Sequence, residues 1–513
     1  MNPMATTGLA NGMMGATGWT SLMPLAPMLV ISLTAVMVMI AIALKRSNTA
    51  AGTISVAGLN IALVLVIWGV LNPLAQMQGV VSSLFVVDSF AQFNMGVILV
   101  CALACFTLAH GYIENSTANG LNGQKEELYI LMLIATLGAL LMACTDHMAA
   151  FFVSLELLSV PMYGMLAYTY AREQSLEAGM KYLVLSATAS ATLLMGMALV
   201  YACTGTLSFR QIGMATVNSL QAGMNLPLLV VGAAMMVFAI AFKLSAAPFH
   251  TWTPDVYQGA PAPVATFLGS VAKVATLVVG LRFLLTSATL AIPAVQFLLV
   301  VIATLSILLG NMLALRERNA KRVLAYSSIA HLGYVLAVVS AVTIESVGFA
   351  SLYMAVYALT TVGSFGVISI MSSPYQGGEA QTLDDYRGLF WQRPVLTAVL
   401  TVMLLSLAGV PLTAGFISKF YAIFATASAQ AWWLTAMIIV GSAIGLYYYL
   451  NFMISLFKRA SFSREQNTRA YDAVNHWGLQ AGGIMVLLVT LAVLYLGIFP
   501  EWLSKILLAI KIY

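Results

Sequence analysis

The sequence predicts an all-α polytopic membrane protein with about fourteen transmembrane helices. Of its 513 residues, 61% are hydrophobic and only 8% are charged. Because a soluble domain carries about 25% charged residues, this composition excludes an ordinary soluble enzyme, a disordered protein and a nucleic-acid-binding protein. Two further observations support the prediction: apolar runs of spanning length recur along the chain, and its few charges have a regular distribution.

The apolar runs define the spans in order. A spanning helix needs about 20 apolar residues. We predict spans over residues 22–44, 53–75, 94–113, 127–145, 148–170, 177–203, 226–249, 262–285, 291–314, 322–342, 346–372, 395–426, 431–456 and 478–498. The polar tract from Val80 to Phe93 alternates over a short distance and predicts a small hairpin between the second and third spans.

The loop charges predict the orientation. If the N-terminus lies outside, fourteen of the 22 Lys and Arg residues fall in inner loops and three fall on the outer side. Inner loops of membrane proteins carry the excess of basic residues. Both termini are therefore expected on the outer side. The segment up to Thr20 lacks the basic start of a signal peptide.

Several ionisable residues fall inside predicted spans. Glu156, Lys243, Lys273, His331 and Lys419 lie at similar depths in separate spans. A charged group at the bilayer centre is costly, so such groups usually face a protein interior or a wet cavity and carry function. Recurrence from span to span predicts a proton relay rather than one substrate pocket. For any single Lys–Glu pair, a structural ion pair remains the alternative.

Other charges near span ends have simpler expected roles. Lys181 lies only about four residues inside its span and can snorkel to the inner surface, although Thr188 and Thr192 continue its helical face and suit a hydrated path. Arg282 is expected to be a snorkelling anchor at an outer span end. Three acids are expected to act in loops or as helix caps: Asp88, Asp146 and Asp255.

The cysteines give no signal for a metal or redox centre. All four lie in apolar segments and none forms a CxxC pair, so no iron–sulfur cluster, zinc site or disulfide framework is expected. The sequence also has neither a dinucleotide-binding glycine motif nor a P-loop. No nucleotide is expected to bind.

Two predicted spans are interrupted beside a lysine. Pro248 follows Lys243 by five residues, and Pro411 precedes Lys419. Proline removes a backbone hydrogen bond, and interrupted spans at corresponding positions point to transport sites. The breaks lie five spans apart, which predicts two five-helix repeats. Because five is odd, the second repeat is inverted relative to the first.

The chain is accordingly divided into four parts. The first part is a three-helix segment with an outer hairpin, and the last comprises an inner loop, a final helix and a short outer tail. The two repeats lie between them. The predicted bounds are 1–125, 126–285, 290–456 and 457–513.

Several long motifs resemble a known family. The stretch FKLSAAPFHTWTPDVYQGAPAPV, followed by SVAKVAT, resembles the central signature of the antiporter-like subunits of respiratory complex I. The segments LAYSSIAHLGY, YRGLFWQRP, LSLAGVPLTAGFISKFY and GSAIGLYYYL resemble the chain N family of bacterial NADH:quinone oxidoreductase. The chain M family typically carries Glu at the position of Lys419, and the chain L family has a long lateral helix, so the chain N family fits best.

The resemblance implies a function and a set of residues. It implies a subunit of the oxidoreductase that moves protons in the bacterial inner membrane, coupled to quinone reduction in partner subunits. NADH, FMN, iron–sulfur clusters and quinone would bind elsewhere in the complex. The implied partners are lipids and other membrane subunits, including the adjacent chain M subunit and small subunits toward the quinone site. The implied relay is Glu156, Lys181, Lys243, Lys273, His331 and Lys419, with helix breaks at Pro248 and Pro411.

Two other functions remain open at this point. A multisubunit cation/proton antiporter shares most of these motifs, and its complex would copurify without flavin or iron. A third hypothesis is that the chain is a structural spacer between active subunits. It predicts full pumping by a variant that lacks the central lysines.

Overall fold

The computed structural model describes residues 20–72, 78–114, 125–222, 227–341, 345–372, 379–459, 477–510 and 512. Within these ranges, thirteen helices are long and apolar enough to cross a membrane. The twelfth predicted span consists of two shorter helices, Pro394–Ala408 and Ala414–Ser428. The prediction of an all-α protein with about fourteen spans is therefore confirmed.

The spans follow the predicted order. The first three are Ala26–Leu44, Asn48–Leu71 and Ser89–Glu114. The fourth to eighth are Glu127–Cys144, Met148–Leu166, Glu173–Thr204, Pro227–Leu244 with Trp252–Gly259, and Ala262–Thr286. The ninth to thirteenth are Pro293–Ala314, Ala320–Ser340, Ser346–Met371, the broken twelfth span and Trp432–Phe457. The fourteenth is Ala481–Ile498.

Three spans form the centre of the molecule. In their most apolar stretches, all residues of the eighth span, 94% of those of the tenth and 89% of those of the eleventh are buried. The corresponding share is 28% for the first span. The first span therefore lies at the rim. Lys273 and His331 belong to central helices, where no lipid reaches their side chains.

Two amphipathic helices were not predicted. Phe209–Gln221 follows the sixth span, and Glu501–Ala509 follows the fourteenth. Each has one polar and one apolar face, and each is too short to cross a bilayer. Their short lengths of 13 and 9 residues hide them from a search for long apolar runs.

A short hairpin lies before the third span, but it ends earlier than predicted. Gly79–Val80 pairs antiparallel with Val86–Val87. The helix then begins at Ser89, because the Asp88 carboxylate accepts a hydrogen bond from the backbone N–H of Ala91 at 2.8 Å. This side-chain cap satisfies a free helix N–H group and turns the second half of the tract into helix.

The first half of the seventh span ends at Leu244, five residues before the predicted end. Ser245 follows with a left-handed backbone (φ 63°). The break frees backbone groups, and the N–H of Ala247 donates to the Ser306 hydroxyl of the ninth span at 2.8 Å. The span resumes at Trp252. The helix break is thus held by a contact between the two predicted repeats.

The break in the twelfth span depends on close packing of its two halves. Gly409 ends the first half with φ 80°, a backbone that favours glycine. Gly415 begins the second half against the Ser406 carbonyl, where an added Cβ would lie 1.8 Å from the oxygen. Its N–H donates to the Ser406 hydroxyl at 3.1 Å.

We expect Gly415→Ala to lower the melting temperature of the protein purified from membranes. Forcing a methyl group into a packed site costs about 1–3 kcal/mol, and here the obstacle is backbone. Gly445→Ala in the thirteenth span is the matched control, because the nearest atom would lie 3.4 Å from the added Cβ. Equal melting temperatures for the two variants would contradict the close approach.

Candidate functional site

Lys243 lies at the end of the first half of the seventh span, and its ammonium is buried. The residue is 7% exposed. Its Nζ donates to the hydroxyls of Ser159 in the fifth span and Ser186 in the sixth, each at 2.6 Å. Ser186 also contacts the Tyr163 hydroxyl at 2.9 Å, and the Tyr182 ring centroid lies 5.8 Å from the ammonium. Neutral hydroxyls from two other spans therefore take the place of solvent.

Glu156 lies beside this cluster but is bound separately. Its carboxylate accepts a hydrogen bond from the Ser190 hydroxyl at 2.5 Å. Ser190 lies one helical turn after Ser186, so the two hydroxyls share a face of the sixth span. In the described part of the chain, Glu156 and Lys243 interact electrostatically without a direct ion pair. The carboxylate and the ammonium are linked through the hydroxyls of one helix face.

Lys273 binds to the broken end of the seventh span. Its side chain is fully buried, and its Nζ donates to the Lys243 carbonyl at 3.0 Å and to the Ser245 hydroxyl. The Trp252 ring lies 5.1 Å from the ammonium. A helix end leaves carbonyls without intrahelical partners and carries a partial negative charge. The break therefore creates the acceptor that holds Lys273 next to Lys243.

Lys419 makes, at the break in the twelfth span, contacts like those that Lys273 makes at the break in the seventh. Its Nζ donates to the carbonyls of Leu407 and Ala408 at 2.8 and 3.0 Å, the last carbonyls of the first half-helix. It also donates to the Ser442 hydroxyl at 3.2 Å, and the Tyr334 ring lies 5.6 Å away. At each of the two helix breaks, a buried ammonium therefore binds carbonyls that the break has freed: Lys273 at the seventh span and Lys419 at the twelfth.

His331 lies between two tyrosines in the tenth span. Nδ1 is 2.9 Å from the Tyr353 hydroxyl, and Nε2 is 3.1 Å from the Tyr449 hydroxyl. Tyr449 also hydrogen-bonds to Ser327. Tyr334, whose ring contacts the His331 imidazole, is the same residue that lies against Lys419. Both imidazole nitrogens therefore contact a tyrosine hydroxyl, and the Tyr334 ring lies against both the imidazole and the Lys419 ammonium.

Two buried hydroxyls lie between Lys273 and His331. Among the described residues, those of Tyr257 and Ser328 make no hydrogen bond of standard geometry, although they lie close enough to interact with each other. The Tyr257 oxygen lies 3.2 Å from the ideal Cβ position of Gly269, one turn before Lys273. Ser328 lies one turn before His331 on the tenth span. Buried polar groups without protein partners commonly bind ordered water, so this gap has the chemistry to hold water.

The chain matches a known protein family over more than half of its length. The chain matches the family described as NADH:quinone oxidoreductase/Mrp antiporter, TM over residues 145–445. The chain belongs to this family. The matched region contains all six predicted relay residues and both broken spans.

Curated members of the oxidoreductase/antiporter family are similar over nearly the whole chain. A Psychrobacter arcticus protein named NADH-quinone oxidoreductase subunit N is 54% identical over 497 residues, which cover 94% of this chain and 97% of that protein. A protein of the same name from Acinetobacter baumannii is 52% identical over 487 residues, or 94% of each chain. The resemblance to the chain N family is confirmed.

Solved structures share the fold. A chain of respiratory complex I from Thermus thermophilus is 30% identical, with a TM-score of 0.75, and the match covers 94% of this chain and 99% of that one. A chain of the Mrp complex from a Dietzia species has a TM-score of 0.79 at 19% identity and covers 96% of this chain and 97% of that one. This second likeness concerns the fold alone.

The family motifs identified the ionisable residues but missed the hydroxyls that hold them. On the sixth span, Tyr182, Ser186 and Ser190 are spaced by four residues and share one face. That spacing was the available signal. Tyr353 and Tyr449, which contact the His331 ring, gave no comparable signal because tyrosine is common in the apolar spans.

Lys181 is placed differently from the other predicted relay residues of the family. Its side chain is 40% exposed, and it pairs with Glu177 at 2.6 Å and Asp255 at 2.9 Å. Asp255, expected in a loop or cap, lies in a helix and accepts this ion pair. The Thr188 and Thr192 hydroxyls beyond Lys181 donate to carbonyls of their own helix, and the hydrated path along this face stays a prediction.

Arg282 is not a snorkelling anchor. Its side chain is 1% exposed, and its guanidinium binds both carboxylate oxygens of Asp88 at 2.9 and 2.8 Å. The guanidinium carbon also lies 5.3 Å from the Phe90 ring centroid. The expectation failed because the hairpin before the third span brings Asp88 over the C-terminal end of the eighth span. A buried, bidentate ion pair forms there instead.

Proposed function

We propose that the chain is a proton-translocating membrane-arm subunit of an NADH:quinone oxidoreductase. The observation that carries the proposal is the placement of Lys243, Lys273 and Lys419. All three ammonium groups are buried and are bound to hydroxyls or to carbonyls freed by a helix break. The names of the curated relatives and the complex I chain that shares the fold support the same function.

The relay would run along the membrane plane. Protons taken up from the inner side reach Lys243, pass through Lys273 and His331, and leave from Lys419 toward the outer side. Water held by the Tyr257 and Ser328 hydroxyls would bridge the gap between Lys273 and His331. Glu156 would tune the proton affinity of Lys243 through its electrostatic interaction. Lys181, at the inner surface, would act at uptake.

The complex would supply what this chain does not carry. We assign NADH, FMN, iron–sulfur clusters and quinone to partner subunits, and expect no redox centre in this chain. The partners would be other membrane subunits, including the adjacent chain M subunit and small subunits toward the quinone site, together with lipids. The setting would be a bacterial inner membrane with both termini in the periplasm, as the loop charges predict.

The flavin and iron content of the purified complex distinguishes this function from a cation/proton antiporter. We expect the chain to copurify from its native membrane with flavin and iron in constant ratio to it. A stable complex that carries cation/proton exchange and contains neither group would support the antiporter. The Mrp likeness does not favour that alternative, because at 19% identity it concerns only the fold.

The triple variant Lys243→Met, Lys273→Met, Lys419→Met tests the relay against a structural spacer. We expect the purified complex in proteoliposomes to oxidise NADH with fewer protons translocated per electron than wild type. Methionine keeps the side-chain length and removes the titratable group. Lys45→Met, at an exposed position, is the control for loss of a lysine. Wild-type stoichiometry in an assembled triple variant would support the spacer.

A further inference from the structure

Glu379 carries a buried carboxylate at the inner side that the proposed relay does not use. Its side chain is fully buried, as is that of Lys321, with which it forms an ion pair. The Arg172 guanidinium lies 3.2 Å from the same carboxylate. The predicted tenth span begins at residue 322, which places Lys321 in the preceding loop, among the fourteen basic residues assigned to the inner side. Lys321 instead begins the tenth span and also donates to the Ala260 carbonyl at 2.7 Å.

Neutral groups complete the shell around this carboxylate. The Tyr112 hydroxyl at the inner end of the third span donates to Glu379 Oε1 at 2.7 Å. The backbone N–H of Ala262, at the start of the eighth span, donates to the same oxygen at 3.2 Å. Glu379 therefore joins the inner ends of the third, eighth and tenth spans and the loop that precedes the sixth.

The segment that carries Glu379, residues 379–383, is held by hydrogen bonds to both repeats. The Gln381 carbonyl accepts a hydrogen bond from the N–H of Ala320 at 2.7 Å, and its side chain contacts Gln174 at 3.3 Å. Leu383 donates through its N–H to the Arg318 carbonyl at 2.9 Å. These contacts place the carboxylate at one fixed point between the repeats.

Lys321 shares a helix face with the relay groups of the tenth span. Ser328 lies seven residues after Lys321, two helical turns and about 10 Å along the axis, on the same face. His331 follows one turn later. Among the described residues, the Ser328 hydroxyl makes no hydrogen bond of standard geometry, although it lies close enough to the Tyr257 and Tyr357 hydroxyls to interact with them. The buried Leu324 and Ala325 lie between Lys321 and Ser328 on this face, so water drawn in by Lys321 would have to pass one apolar turn to reach Ser328 and His331.

We propose that Glu379 is a seal that closes this route. The inference rests on the proposed proton translocation, since a return path matters only in a chain that conducts protons. Glu379 neutralises Lys321 where no solvent reaches it. Without the carboxylate, Lys321 and Arg172 would be two neighbouring cations without a counter-ion, and a buried unpaired charge is strongly unfavourable. Water entering from the inner side would relieve that cost and connect Lys321 with Ser328.

Glu379→Gln tests the seal. In proteoliposomes containing the purified complex and no NADH, an imposed potassium diffusion potential drives protons, and a trapped pH dye reports their flux. We expect a several-fold higher passive proton conductance than in wild type, with NADH oxidation retained but no longer stimulated by an uncoupler. Asp384→Asn is the matched control. It removes one acid from the same segment, and its ion pair with Arg387 is exposed.

A second substitution distinguishes a seal from a general packing role. We expect Ser328→Ala in the Glu379→Gln background to reduce the leak, because it removes the next polar group on the route. A leak unchanged by Ser328→Ala, or a Glu379→Gln complex as proton-tight as wild type, would overturn the proposal. The passive proton conductance is measured without NADH. Its outcome is therefore independent of the number of protons that the triple lysine variant translocates per electron.

Tyr112→Phe replaces Glu379→Gln if the latter does not assemble. It removes one hydrogen bond to the carboxylate and leaves all charges in place. We expect a smaller increase in passive conductance. Wild-type conductance in the Tyr112→Phe complex would count against the seal.

Discussion

Lys243→Met is expected to remove this chain's share of proton translocation while leaving the complex assembled. Lys243 is the point at which the Ser159 and Ser186 hydroxyls converge. Methionine preserves length but cannot carry a proton. The contact from Lys273 reaches the backbone carbonyl of residue 243, so the substitution leaves that lysine in place. The measurement is the number of protons translocated per NADH oxidised in proteoliposomes.

Lys243→Arg separates proton transfer from fixed charge. Arginine keeps the positive charge but does not release its proton in proteins. We therefore expect Lys243→Arg to translocate no better than Lys243→Met, and Lys45→Met to match wild type. Wild-type stoichiometry in Lys243→Met would exclude the residue from the relay. Recovery in Lys243→Arg would instead indicate that charge alone is needed.

Arg282→Met is expected to produce the largest loss of stability. The Arg282–Asp88 pair is fully buried, and removing one partner of such a pair typically costs about 3–5 kcal/mol, because the other charge stays buried and unpaired. We expect a lower melting temperature and less chain in the membrane. Arg46→Met is the matched control. It breaks an ion pair whose arginine is 52% exposed, and such pairs contribute about 1 kcal/mol or less.

The double variant Asp88→Asn, Arg282→Met tests the cause of that loss. Asparagine retains the side-chain oxygen that caps the third span at Ala91, and neither position is left with a buried charge. We expect the double variant to be more stable than Arg282→Met alone. A double variant that is equally unstable would assign the loss to packing of the guanidinium rather than to charge.

Much of the fold was predictable because its signals are local. A membrane requires long apolar runs, so the spans follow directly from the sequence. The helix breaks were predictable for the same reason, since Pro248 and Pro411 act on their own helices. The depth of Lys243 and Lys419 within their spans also needs only a count of residues. The two amphipathic helices were missed because they lack such runs.

The candidate site was only partly predictable. The sequence identified four ionisable residues that the structure buries: Lys243, Lys273, His331 and Lys419. The structure places Lys243 and Lys273 together through the Lys243 carbonyl. The sequence did not indicate that Glu156 binds Ser190 rather than a lysine. Such hydroxyl contacts depend on how the helices are rotated against one another, which hydropathy does not encode.

Lys321 and Arg322 show what only the tertiary structure decided. Both residues belong to one basic pair at the start of the tenth span, and the sequence by itself determined only that they lie at a helix end, which the loop charges predict to be the inner one. In the folded chain, Lys321 is fully buried against Glu379, whereas Arg322 is 24% exposed and pairs with Asp255. Neighbours on a helix point about 100° apart, so each meets a different segment. Burial and pairing of a charge depend on those distant segments.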